Sequence, residues 1–179
     1  MNTSNAPKAR FRAFPLWESY AVAVLVLAAM TSARAAPQEV PRSVFEADSP
    51  PPSAIWLDSL EVGLVQQDWG EPRAGRSAGR NPIVLGGTRY IHGLGTHAFS
   101  ECHLELNGAC ERFAALVGID DEVGPNGSAV FEVWVDGSLR WKSPVLRGGD
   151  APVRVETGLA GAEHLVLVVD PAGDGIHLD

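Results

Sequence analysis

From Ala54 onward, glycine or proline interrupts the chain every few residues, and the apolar residues between them fall in short β-branched or alternating runs. No helical period of useful length survives that punctuation. A chain of this kind forms strands joined by tight turns and buries them as an all-β sandwich or barrel. Strands are expected over 54–60, 83–85, 101–106, 113–119, 129–135, 139–143, 153–156 and 164–169. Asn107-Gly108 reads as a two-residue hairpin turn. It would set Cys102 and Cys110 on opposite faces of one sheet, roughly 10 Å apart and beyond the ~7 Å reach of a disulfide. Cys102 then belongs to the core and Cys110 to the surface. At 136–138 the apolar pattern selects a three-residue loop with a bulge, pairing Val135 with Leu139 and Val133 with Trp141. Phe131, Val133, Val135, Leu139 and Trp141 would face the core, and Glu132 and Trp134 the other side.

The segment before this domain reads differently. Lys8, Arg10 and Arg12 precede an unbroken apolar run, 21–30, that is short for a bilayer span and ends near Ala33-Arg34-Ala35. This is the pattern of a secretory signal peptide over 1–35, cut before Ala36. Residues 36–53 hold Pro37, Pro41 and Pro50-Pro51-Pro52 and read as a proline-rich linker. The folded domain is expected over 54–179. The expected location is secreted or periplasmic, with no transmembrane domain once the leader is cut. Cleavage removes four basic residues and Glu18 from 14 basic and 22 acidic, which leaves 10 against 21, or −11. That balance argues against nucleic acid and anionic membranes as partners.

No nucleophile elbow, no HExxH pair and no phosphate-binding glycine loop is present in the sequence. His97 with Asp120 or Asp121, and Ser100 nearby, has no spacing that demands a hydrolytic site. Sugar binding needs less: an aromatic platform and a few polar side chains able to bond hydroxyls in pairs. The loop from Gln66 to Arg73 offers that mixture around Trp69, which either stacks on a sugar or caps one end of the sandwich. Asp58, Asp120, Asp121, Asp170 and Asp174 lie at strand ends or loops. They either bond turn amides or contribute to a structural calcium, for which Asp58 and Asp174 are the candidate ligands. His92 and His97 flank a glycine turn, and Gly93 and Gly95 are expected at positive φ.

The order of motifs resembles the NPCBM family, a carbohydrate-binding module found beside glycoside hydrolases of the family 98 type. The matching residues include Ile55-Trp-Leu-Asp-Ser-Leu60, Trp69-Gly70, Tyr90 with Gly93-Leu-Gly-Thr-His-Ala98, Val117-Gly-Ile-Asp-Asp121, Val130-Phe-Glu-Val133 and Gly173-Asp-Gly175. The resemblance implies a discoidin-like, galactose-binding-like β-sandwich that binds galactose-containing or related glycans without catalysis and often holds calcium. It carries Trp69, His97, Asp120 and Asp121 over as family-motif positions for carbohydrate. It further implies a glycoside hydrolase or cell-surface protein as partner, and a last strand beyond Asp179. The other readings are a structural or adhesive sandwich that binds protein, and a glycoside hydrolase with an unrecognised site.

Overall fold

The computed structural model describes residues 21–28 (backbone only), 39–60 and 65–172. Among these residues the chain forms β1 (Ala21–Ala28), β2 (Ala54–Trp56), β3 (Val65–Gln67), β4 (Arg73–Ala74), β5 (Ile83–Leu85), β6 (Thr88–Tyr90) and β7 (Leu94–Thr96). It continues through β8 (Ser100–Glu105), β9 (Arg112–Ile119), β10 (Ser128–Val135), β11 (Ser138–Lys142), β12 (Leu146–Arg147), β13 (Val153–Gly158) and β14 (His164–Asp170). Two antiparallel sheets result. One has the order β13-β9-β1-β7-β4 with β2 on β1, and the other β11-β10-β14-β8-β3 with β12 on β10. The β5–β6 hairpin stands apart. The fold is the expected all-β sandwich of galactose-binding-like type.

The main core lies between the sheets. Phe113, Ala115, Val117 and Ile119 of β9 meet Cys102, Leu104, Phe131, Val133, Val135, Leu165 and Val169 of the other sheet there. The alternate residues Ala114 and Leu116 point outward, and they are buried too. They enter a second cluster with Val40, Phe45, Trp56, Ile83, Leu85 and Tyr90. Side chains of a strand alternate between faces, so a strand covered on both sides reads as a continuous apolar run, as 113–119 does. Val40 and Phe45 lie in the stretch expected to be linker, yet Phe45 is 0 % exposed. A short 3-10 turn, Arg42–Val44, delivers it to the cluster.

β1 lies within the segment read as a leader. Its backbone runs antiparallel to β9 from Ala21↔Ile119 to Ala28↔Arg112, with β7 and β2 along its other edge. An uncharged apolar run of eight residues suits either a buried strand or the apolar region of a leader, and periodicity alone does not separate the two.

Two expected hairpins differ from those found. Asn107 and Gly108 do form a tight turn, closed by the Ala109 amide on the Leu106 carbonyl. But β8 pairs with β14 and β3, while β9 pairs with β13 and β1. The turn is a crossover between sheets, because the apolar residues flanking it face each other across the core. Both cysteines are free; Cys102 is buried, and Cys110 is half-buried against the main core rather than at the surface. At 136–138 the loop has two residues, with Val135 opposite Ser138 and Trp134 opposite Leu139. A bulge between Val133 and Trp134 then restores the expected Val133–Trp141 pair. Leu139 is therefore exposed, not core.

Candidate carbohydrate-binding site

β3 is the edge of one sheet and β4 the edge of the other, so the loop between them crosses the open side of the sandwich. This loop carries Trp69, which is 46 % exposed, whereas tryptophan is usually well buried. Gln67 at the end of β3 fixes the loop. Its Nε2 donates to the Trp69 carbonyl at 2.6 Å, and its Oε1 accepts from the His97 amide at 3.4 Å. The His97 ring meets the Trp69 ring edge to face, with centroids 4.7 Å apart. Gly70, at φ +71°, sits beside that ring, and a Cβ there would lie 3.1 Å from His97 Cδ2. Glycine thus serves both the backbone angle and the close approach.

Trp69 and His97 line a cavity of about 280 Å³ with Gly70, Glu71, Arg73, Ala78, Gly79 and Arg80. Arg73 Nη2 pairs with Glu71 Oε2 at 3.0 Å. Arg73 Nε is buried and has no hydrogen-bond partner among the described residues. The far wall is the 76–81 loop, tied around the buried Ser77. The Ser77 amide donates to the Asn81 carbonyl, the Asn81 amide to Ser77 Oγ, and the Arg80 amide to the Ser77 carbonyl. This loop lies directly on Gly95 of β7, where a Cβ would come within 2.3 Å of the Arg76 carbonyl oxygen. Gly93 has the expected positive φ, but Gly95 does not. Gly95 is required by the close approach of another backbone.

The other expected site residues lie elsewhere. Asp120 Oδ2 accepts from the Val84 amide and Oδ1 from the Glu122 amide, both at 3.0 Å. Asp121 accepts from the amides of Gly86 and Gly87 at 2.9 and 2.7 Å. Both aspartates fasten the β5–β6 hairpin, and neither lines the cavity. Burial raises the Asp120 pKa, and the two amide bonds only partly oppose it. Asp58 accepts from the Gly93 amide and faces His92 Nδ1, each at 3.2 Å. His92 stacks on Trp56 with centroids 4.5 Å apart, so β7 sends His92 and His97 to separate environments. Calcium takes six to eight oxygen ligands. No group of three or more His, Cys, Asp or Glu side chains is placed to hold a metal among the described residues. Asp58 alone does not fit that demand, and Asp174 lies outside the described residues. The sequence reading included Gln67 in the Trp69 loop but passed over Ala78, Gly79 and Arg80. A signal existed for Arg80 in the polar, glycine-rich stretch 73–81.

Comparison with known proteins bears on the fold and the family. A CBM51 module of a Clostridium perfringens GH95 protein, solved in complex with methyl-galactose, is 32 % identical, with a TM-score of 0.64 over 70 % of this chain and 92 % of that one. The second CBM51 of C. perfringens ZmpB, solved with GlcNAc, is 29 % identical, with a TM-score of 0.63 over 69 % of this chain and 28 % of that one. An α-1,3-galactosidase B of Akkermansia muciniphila is 32 % identical over 121 residues, which are 65 % of this chain. A Renibacterium salmoninarum protein assigned as an endo-α-N-acetylgalactosaminidase is 32 % identical over 138 residues, or 73 % of this chain. The chain spans only 15 % and 9 % of those two enzymes' lengths. The profile of the NPCBM/NEW2 domain matches residues 53–179. With that match over most of its length, the chain belongs to the NPCBM/NEW2 domain family, and its structural neighbours are CBM51 carbohydrate-binding modules.

Proposed function

We propose that this domain is a secreted, non-catalytic module that binds a galacto-configured sugar in the cavity beside Trp69 and holds a partner, such as a glycoside hydrolase, near its glycan. The observation that carries the reading is an exposed indole braced by His97 beside a cavity that Glu71, Arg73 and Arg80 also line. A galacto ring has an apolar C–H face opposite its hydroxyl-rich edge. The indole covers the first, and Arg73, Glu71 and His97 reach the second. The methyl-galactose held by the C. perfringens GH95 module supports this choice of sugar. Stacking contributes on the order of 1 kcal/mol or more, so Trp69→Ala should weaken methyl-galactoside binding about fivefold or more. Calorimetric titration of parent and variant measures this. Equal affinities would remove Trp69 from the site, and no binding on a glycan array would remove the function.

Calcium remains part of the proposal, as the family resemblance implies, with Asp58 and Asp174 as the candidates read from the sequence. A metal bound only by the folded state raises the melting temperature with its concentration. Superimposable melts in calcium and in chelator would end that part.

A further inference from the structure

We infer that the cavity selects a galacto-configured sugar bearing an anionic substituent, a sulfate or a carboxylate, and that Arg80 is the selecting residue. The inference rests on Trp69 being the sugar platform.

Three charged side chains line the cavity: Glu71, Arg73 and Arg80. Glu71 and Arg73 neutralise each other through their 3.0 Å contact. Arg80 is exposed and in no ion pair among the described residues, so the wall keeps one surplus positive charge. Behind this loop the Glu122 carboxylate lies against Gly79 and accepts from Asn81 Nδ2 at 2.6 Å, without itself lining the cavity. The surplus runs against the composition, since the chain carries −8 overall. Arg73 Nε adds a buried donor with nothing to bond among the described residues. An unsatisfied buried donor is costly, and an anionic oxygen is its strongest partner.

The backbone points the same way. Arg80 has φ +73°, a region uncommon for residues other than glycine. Glycine would take that angle without strain. The bonds around Ser77 hold arginine there, with its side chain on the cavity wall. Guanidinium offers a planar fork of donors that matches both sulfate and carboxylate.

The test is titration of the protein with methyl-galactoside, galactose 6-sulfate and galacturonic acid at low and high salt, repeated on Arg80→Gly and Arg80→Lys. Glycine suits the local φ, so the Arg80→Gly variant should fold; a thermal melt checks this. At least one anionic sugar is expected to bind about tenfold tighter than the neutral one at low salt. That ratio should shrink with salt, because Arg80 is exposed. It should fall to about one in Arg80→Gly and survive in part in Arg80→Lys. The better of the two anions identifies the substituent. Neutral binding with no anionic preference, or a preference that persists in Arg80→Gly, overturns the inference while leaving the sugar site in place. Loss of all galactoside binding overturns both.

Discussion

Gly95→Ala tests the link between backbone packing and the cavity. An added Cβ would lie 2.3 Å from the Arg76 carbonyl oxygen, and 2.5 Å from both the Ser77 carbonyl carbon and the Ala78 amide nitrogen. Ordinary contacts of a Cβ begin near 3.4 Å, so the loop must retreat by about 1 Å. It cannot do so piecemeal, because Ser77 is buried and bonded to Asn81 at both its amide and its hydroxyl. Overpacking of this kind costs about 1–3 kcal/mol. Each kcal/mol lowers Tm by roughly 3–6 °C in a domain of this size. The shift also displaces Ala78, Gly79 and Arg80, which line the cavity with Trp69, so galactoside affinity should fall about tenfold or more. Two other strand glycines serve as controls. At Gly118 a Cβ would meet Pro152 and Leu85 at an ordinary 3.5–3.6 Å, and at Gly158 nothing among the described residues lies within 4 Å. The variant at exposed Gly158 should stay within about 0.5 kcal/mol of the parent, that at buried Gly118 should lose less than Gly95→Ala, and both should bind normally. Thermal melts and calorimetry on all three decide the matter. The reasoning fails if Gly95→Ala melts and binds like the parent, or if Gly158→Ala loses as much.

Phe45→Ala should destabilise the protein by about 3–5 kcal/mol, as a fully buried ring in the second cluster, and denaturant midpoints measure it; a surface-like loss below about 0.5 kcal/mol would detach 39–53 from the fold. Asp120→Ala should cost about 1–3 kcal/mol by leaving the Val84 amide unsatisfied, without altering galactoside affinity. Burial raises the Asp120 pKa in the folded state, so its contribution is complete below the unfolded carboxylate pKa and is lost as pH rises through the folded one. Asp120→Asn should remove that step from the stability–pH curve; an unchanged curve refutes the assignment.

How much of this was legible depends on how many neighbours a residue needs. The longer strands follow from local alternation, and β8, β9, β10, β11, β13 and β14 lie within two residues of expectation. Apart from β1, eight residues long within the segment read as a leader, the strands passed over are two or three residues long, and most take their bonds from distant partners. Arg73 of β4 pairs with Gly95 of β7, and Val65 of β3 with Cys102 of β8. Turn chemistry correctly located Asn107-Gly108 but could not say which sheet each arm joins, since that depends on which core the flanking residues enter. The site divides along the same line. Trp69 stood out because a large aromatic among polar residues is locally odd, and His97 because its motif matched the family. Asp120 and Asp121 matched as well, yet three of the four amides they bind belong to a hairpin more than 30 residues earlier. A motif position therefore marks a residue the fold requires, whether for ligand or for backbone. The partners of the side chain show what it does for the fold: for Asp121 both are amides of the β5–β6 hairpin, and for Asp120 one is, the other being the Glu122 amide.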